Sequence, residues 1–327
     1  MDGELAREAS NQGNIFLRSQ AIDCGYRSRE IEGLLRSGAW VRVRRGAYTT
    51  RETWESRGPT GRYLLRVHAV VTALDGPVVC TGHTALAVLK VPLWGVAFNQ
   101  VHVWRTERHA SRREAGVVHH RFDIAEGDFL EVDGLLVQMP ELAALDAARA
   151  VSFEAGVVLM DGARRLPTFD DQRCMELLER QRNWPGSVHA SRVLAFSDPR
   201  AATVGESRSR VLLARIGIPR PDLQTEIRDS SGRLIGITDM YVVEIRTAVE
   251  FDGKLKYSRA LYEQSGRLED IDLGAVVWNE KRREDQIRDE GNEMVRIVWH
   301  ELDGHDREVR GRFDRAAERA GTPLLAS

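Results

Sequence analysis

The chain has 327 residues, which is more than one ordinary hydrophobic core supports, so we expect two or three domains. With 42% hydrophobic and 29% charged residues it has the composition of a soluble globular protein, and no apolar run reaches the roughly 18 residues of a membrane span. A formal net charge of −2 excludes a protein that coats nucleic acid by bulk attraction, although a local basic patch can still bind it.

The cysteines indicate a reducing compartment. Cys24, Cys80 and Cys174 lie far apart, and the chain has no CxxC and no Cys/His pairing at zinc spacing. The polar, acidic residues 1–8 do not have the pattern of a signal peptide. We therefore expect a cytoplasmic protein with buried thiols, no zinc, no organic cofactor and no membrane contact.

Residues 13–50 are basic and contain clear signals for the starts and ends of helices. The segment has seven arginines and three acidic residues, a local excess of four positive charges. Ser19 is predicted to cap a helix over 20–24 that ends at Gly25, and Ser28 a second helix over 29–37 that ends at Gly38. A β-ribbon follows, with strands over 40–44 and 47–49 joined by a turn at 45–46.

This order of elements is that of a winged helix-turn-helix, predicted as a first domain over 1–60. In that geometry the second helix enters the major groove and the hairpin contacts the DNA backbone or minor groove. The predicted contacts to double-stranded DNA are Arg29 and Arg36 on the helix and Arg42, Arg44 and Arg45 on the hairpin. The alternative is a small helical adaptor whose arginines are only solvated.

Residues 18–50, RSQAIDCGYRSREIEGLLRSGAWVRVRRGAYTT, resemble the N-terminal domain of the AbiEi antitoxins of type IV toxin–antitoxin systems. The resemblance continues more loosely through 80–86, 101–104 and 145–149. It implies operator binding, autoregulation and a cognate toxin as a protein partner.

The middle of the chain, 61–165, is predicted to be an α+β domain. Strands are expected over 100–104, 116–120 and 135–139, with helices around 62–73, 83–90 and 141–149. His83 and the adjacent His119 and His120 suggest a metal site, but neighbours on a strand point to opposite faces, so satisfied or exposed histidines are the preferred interpretation. Asp146 and Asp161 are expected to cap or pair. The Pro- and Gly-containing segment 166–203 is predicted to be a helical linker.

The last domain, 204–327, has the pattern helix, three strands, helix, strand. The expected elements are a helix over 206–216, strands over 223–228, 234–241 and 247–252, a charged helix over 279–288 and a strand over 294–299. The fold class is therefore α/β multidomain.

Acidic side chains converge in this layout. Asp239 and Glu250 lie on neighbouring strands joined by a short turn, so strand pairing brings their carboxylates together. On the third strand, Glu250, Asp252 and Lys254 share one face. Carboxylate oxygens suit Mg²⁺, which lowers the pKa of a bound water, and Lys254 would orient that water. Glu206 is predicted as an outer ligand. The alternative is that these are exposed charges at a strand end.

Residues 205–302 resemble the Vsr-like branch of the restriction-endonuclease-like PD-(D/E)XK superfamily. The matching stretches are GESRSRVLLARIGIPRPDLQTEI, GITDMYV, AVEFDGKLKY and WNEKRREDQIRDEGNEMVRIVWHEL. The resemblance implies a catalytic group and, on the charged helix, DNA contacts by Lys281 and Arg283. The catalytic group is Glu206, Asp239, Glu250, Asp252 and Lys254; Asp239 matches the first Mg²⁺ ligand, and Glu250 and Asp252 are both candidates for the second metal ligand. Lys254 and Lys256 stand where many relatives have histidine, and the zinc ligands of the repair enzymes are missing.

The sequence therefore predicts a DNA-binding protein with a Mg²⁺-dependent endonuclease domain, in phage defence or toxin–antitoxin control. One alternative is a non-enzymatic, autorepressing antitoxin-like regulator. Another is a module that neutralises a toxin protein through residues 60–200.

Overall fold

The computed structural model describes residues 2–74, 76–105, 112–120, 127–253, 273–322 and 324. The predicted Lys254 and the neighbouring Lys256 lie outside these ranges. Contacts divide the chain into two compact units, Met1–Ser197 and Asp198–Ser327. In the part of the chain described, no helix combines the length and apolar character needed to cross a bilayer.

The first unit begins with a helix and a short strand that the sequence did not predict, followed by the two helices and the hairpin that it did. The elements are α1 (Gly3–Asn11), β1 (Phe16–Leu17), α2 (Arg18–Asp23), α3 (Ser28–Arg36), β2 (Trp40–Arg44) and β3 (Ala47–Thr50). The strands form an antiparallel sheet in the order β1-β3-β2. Gly25 and Gly38, at φ +90° and +73°, end the two helices in the left-handed conformation, as expected.

The helix starts differ from the prediction. Ser19 and Ser28 lie inside α2 and α3, and neither is an N-cap. The backbone N–H of Leu17 donates to the side chain of Gln20 at 2.7 Å, and that of Arg27 to Glu30 at 2.6 Å. Side chains one turn into each helix therefore bind its free amide.

A small aromatic core holds the helix-turn-helix and hairpin together. The rings of Phe16 and Trp40 meet edge to face with centroids 4.6 Å apart, and Tyr26 lies 5.1 Å from Trp40. Ile31 of α3 is fully buried in the same cluster. Burial of this face of α3 leaves its opposite face to solvent.

The rest of the first unit is a mixed six-stranded sheet with helices. Its order is β6-β7-β5-β4-β9-β8, in which β4 pairs parallel with β9 and β5 parallel with β7. The strands are β4 (Val78–Cys80), β5 (Val101–Arg105), β6 (Arg112–Glu114), β7 (Val117–His120), β8 (Phe129–Val132) and β9 (Leu135–Gln138). The helices are α4 (Arg51–Glu55), α5 (Pro59–Thr72), α6 (Gly82–Val88), α7 (Pro140–Ala150), α8 (Phe153–Arg164), α9 (Asp171–Arg180) and α10 (Ser187–Phe196).

The segment 166–203, expected to be a linker, is instead largely packed into this unit. Helix α9 contacts α7, and α10 contacts both α7 and α8. Buried Cys174, Leu177, Ala190 and Val193 provide the apolar contacts. The boundary between units falls after Ser197.

The second unit has the four expected strands, both expected helices and one further helix at its end. Its elements are α11 (Val204–Arg215), β10 (Asp222–Arg228), β11 (Leu234–Val242), β12 (Thr247–Asp252), α12 (Leu273–Asp289), β13 (Glu293–Val298) and α13 (Asp306–Arg319), with 3-10 turns at Val243–Ile245 and Trp299–Leu302. The sheet order is β10-β11-β12-β13, antiparallel except for the parallel β12–β13 pair.

The sheet of the second unit is covered on both faces. One face carries Met240, Val249 and Phe251, which pack in a buried cluster with residues of α11 and α13. Ala248 belongs to a separate cluster with Ile287 of α12. Because side chains alternate along a strand, residues of even number in β12 lie on the α12 side.

Candidate functional sites

A group of exposed arginines lies on α3 and the β2–β3 hairpin. Arg29, Arg36, Arg42 and Arg45 are exposed. Arg36 donates from Nε to the carbonyl of Glu32 in its own helix at 3.3 Å. Among the described residues, no carboxylate forms an ion pair with any of these four side chains. We call Arg29, Arg36, Arg42 and Arg45 the basic surface.

Arg44, predicted to act with them, has a different environment. Its side chain is half-buried, and its Nη1 is shielded from solvent without a hydrogen-bond partner. Burial lowers the pKa of the guanidinium, and the nearby charge of Arg66 acts in the same direction. The structure therefore separates Arg44 from the exposed arginines.

In the second unit, Asp239 and Glu250 occupy neighbouring positions on adjacent strands. Met240 pairs with Val249, and Asp239 and Glu250 are the next residues beyond that pair on β11 and β12. The Asp239 carboxylate accepts a hydrogen bond from the backbone N–H of Phe251 at 2.9 Å. The flanking pairs Leu223–Met240 and Thr225–Thr238 place Gln224 across from Asp239 on the other side. A polar row of Gln224, Asp239 and Glu250 thus crosses three strands.

Glu250 is held by arginines. It accepts a hydrogen bond from Nη2 of Arg283 on α12, and Nε of Arg296 lies 4.0 Å away. Burial raises the pKa of Glu250; the charges of Glu280 and Asp239 push it the same way, and Arg283 opposes them. The negative charge of Glu250 is therefore already partly neutralised by arginines on the α12 side of the sheet.

Glu206, expected to be an outer metal ligand, caps its own helix. It is 2% exposed and accepts hydrogen bonds from the backbone N–H of Ala202 and from Thr203 Oγ1, both at 2.8 Å. The Thr203 hydroxyl in turn accepts from the Glu206 N–H, which makes Thr203 the N-cap of α11. Gln224 Nε2 lies 3.3 Å from the same carboxylate and connects Glu206 to the polar row.

The remaining predicted residues lie in separate surroundings. Asp252 is partly exposed at the end of β12, and Lys281 is exposed on α12. Arg283 is 23% exposed and bridges Glu250 to Glu280. The structure therefore shows Arg283 as an ion-pair residue and not as a free cation facing solvent.

No group of three or more His, Cys, Asp or Glu side chains among the described residues has the arrangement of a metal site. Gln224, Glu280 and Arg296 were not predicted from the sequence. Glu280 lies three residues before Arg283, and this helical spacing was a usable signal. Gln224 and Arg296 join the site only through strand pairing.

Three histidines of the first unit, His83, His102 and His120, contact one another in a largely buried cluster. His102 Nδ1 and His120 Nε2 lie 2.9 Å apart, and the rings of His83 and His102 meet edge to face at 4.4 Å. His119, next in the chain to His120, is buried at 4% exposure. Asp146 pairs with Arg149 and accepts from Gln138, as the sequence predicted for this carboxylate.

Comparison with known proteins identifies one matching region and two relatives. Residues 4–50, which contain the helix-turn-helix and hairpin, match the family described as "Transcriptional regulator, AbiEi antitoxin". Two uncharacterised proteins of Mycobacterium tuberculosis, MT2308 of strain CDC 1551 / Oshkosh and Rv2248 of strain ATCC 25618 / H37Rv, are each 28% identical over 121 residues. The matched region is 37% of this chain and 44% of each relative, so the chain spans less than half of their length.

Proposed function

We propose that this chain is a DNA-binding transcriptional regulator that binds duplex DNA through the basic surface. The observation that carries the proposal is four exposed arginines, free of carboxylate partners among the described residues, on the second helix and hairpin of a winged helix. Arg29 and Arg36 would contact the major groove, while Arg42 and Arg45 would contact the backbone or minor groove. The family match over residues 4–50 supports this assignment.

The experiment is a fluorescence anisotropy titration with a duplex from the region upstream of the chain's own gene. Each of Arg29→Gln and Arg42→Gln should weaken binding about 10-fold and reduce the slope of log K against log salt by about 1. The control is Arg180→Gln, which removes the same charge from an exposed position on α9. Equal loss in the control, or no loss in either arginine variant, would reject the surface.

The family description also names antitoxins, and a protein partner belongs to the proposal on that basis. We propose that a toxin encoded beside this chain binds it. Co-purification of the tagged chain with the neighbouring gene product is the test. Recovery of the chain alone, from cells that express both proteins, would contradict it.

A second candidate function is Mg²⁺-dependent cleavage of DNA by the second unit. The neighbouring positions of Asp239 and Glu250 on β11 and β12 favour it, because two carboxylates close together can share a divalent ion. Release of Glu250 from Arg283 would be required for direct ligation. Asp252 would be the other candidate for the second carboxylate, and Lys254 would supply the cation of the proposed site.

Cleavage of duplex DNA in the presence and absence of Mg²⁺ tests this candidate. Asp239→Asn and Asp252→Asn should abolish cleavage, whereas Glu244→Gln, an exposed acid in the same unit, should retain it. Cleavage that survives both Asp variants would place the active site elsewhere or assign it to a contaminant.

A further inference from the structure

A pocket of about 300 Å³ lies between the hairpin and the six-stranded sheet of the first unit. Its walls include Arg44 and Arg45 of the hairpin, Arg66 and Val70 of α5, and Asn99 and Gly116 near the sheet. Three of these side chains are cationic, and no acidic residue is among the described residues that line it. We call it the arginine pocket.

The charges in the arginine pocket lack compensation from the described protein. Arg44 Nη1 is shielded from solvent and donates no hydrogen bond. Arg66 donates from Nη1 to the carbonyl of Phe98 at 3.2 Å, which fixes its guanidinium without neutralising it. Two guanidinium groups close enough to repel each other in a partly desolvated site are unfavourable unless an anion joins them.

We propose that the arginine pocket binds a phosphate group. Guanidinium forks match the geometry of phosphate oxygens, and Arg45 of the hairpin and Arg66 of α5 line the pocket from two different elements, so one tetrahedral anion can accept from both. The volume exceeds that of a phosphate ion and leaves room for a small organic group attached to it. The source is either a free phosphate ester or a phosphate of bound DNA, and the chemistry is the same. This inference does not depend on DNA binding by the basic surface.

Calorimetric titration of the full chain with inorganic phosphate, in chloride buffer at pH 7.5 and constant ionic strength, tests the pocket. Arg66→Gln and Arg45→Gln should each weaken phosphate binding about 10- to 100-fold, as expected for loss of a charge-assisted hydrogen bond. Arg57→Gln, an exposed arginine just before α5, is the matched control and should bind like the parent. Circular dichroism establishes whether each variant is folded. If Arg66→Gln does not fold, Arg45→Gln still tests the pocket, because it changes a more exposed side chain.

Titration with duplex DNA in phosphate-free buffer then identifies the source. Unchanged DNA affinity in Arg66→Gln assigns the pocket to a free phosphate ester. A 10-fold loss, together with competition between phosphate and DNA, assigns it to the DNA backbone. Absence of phosphate binding by the parent, or equal binding by the parent and the folded pocket variants, would overturn the proposal. Loss of DNA binding in Arg29→Gln alone bears on the basic surface and leaves the pocket unaffected.

Discussion

At the scale of single residues, Gly205 permits the close approach of α11 to β12. A Cβ atom at this position would lie 1.9 Å from Cε1 of Phe251, which is itself buried against Trp299. Something in the core must shift to admit a methyl group, because packed interiors have little free volume.

We predict that Gly205→Ala lowers the free energy of unfolding of the second unit by about 1–3 kcal/mol. Urea denaturation followed by circular dichroism measures the loss. Gly33→Ala is the matched control: it lies inside α3, where a Cβ meets nothing within 4 Å, and should be neutral or stabilising by up to about 1 kcal/mol. Unchanged stability of Gly205→Ala would show that α11 lies farther from Phe251.

The role of Glu206 differs between the sequence-based prediction and the structure. The sequence pattern suggested an outer metal ligand, whereas the structure shows an acceptor for Ala202 and Thr203 at the start of α11. We expect Glu206→Ala to cost about 1–3 kcal/mol of stability, because buried donors lose their partner. Thermal unfolding beside the exposed control Glu244→Ala checks this, and a cost no larger than the control's would argue against the capping role.

At the scale of elements, α6, β5 and β7 bring three imidazoles together. Burial lowers the pKa of His83 to about 4 and that of His102 to about 3, and the charges of neighbouring histidines and Arg113 add to the effect at His102. Burial also lowers the pKa of His120, where His119 and Arg113 contribute. All three imidazoles are therefore neutral in the folded protein near pH 7.

In the unfolded chain the histidines have a pKa near 6.5, whereas in the folded protein they stay neutral to a lower pH. Their contribution to the free energy of unfolding is therefore complete above pH 6.5 and is lost as the pH drops toward 4. Each histidine whose pKa is strongly lowered reduces the free energy of unfolding at pH 5 by about 2 kcal/mol relative to pH 7. We expect His102→Asn to reduce the difference in unfolding free energy between pH 7 and pH 5 by about this amount. Urea denaturation at the two pH values measures it, and the same pH dependence in parent and variant would exclude His102 as a cause.

The elements of the second unit were largely predictable because their signals are local. The predicted strands 223–228 and 247–252 match β10 and β12 to within a residue, since apolar alternation and flanking turns mark their ends. Elsewhere the sequence did not predict the helices α1, α4, α8 and α13 or the strands β1, β4, β6 and β8. Most of the stability of such a helix comes from packing one of its faces against the rest of the protein. The helical pattern in the sequence is weak evidence for that packing.

At the scale of the whole molecule, the boundary at Ser197 and Asp198 assigns the basic surface to the first unit. We predict that a fragment of residues 1–197 binds the same duplex as the full chain with a dissociation constant within about threefold, which is less than 1 kcal/mol. Anisotropy titration of both proteins is the measurement. A 10-fold weaker fragment would mean that the second unit, for example through Lys281, contributes DNA contacts.

The sequence by itself determined the helix-turn-helix with its hairpin and the adjacent strands that carry Asp239 and Glu250. These follow from glycine stops, alternation and a short turn, which act over a few residues. Only the tertiary structure decided that Arg44 and Arg66 line the same pocket, that Arg283 pairs with Glu250 and that residues 171–196 pack as helices on the first unit. The reason is that burial and charge pairing depend on residues brought together from distant parts of the chain.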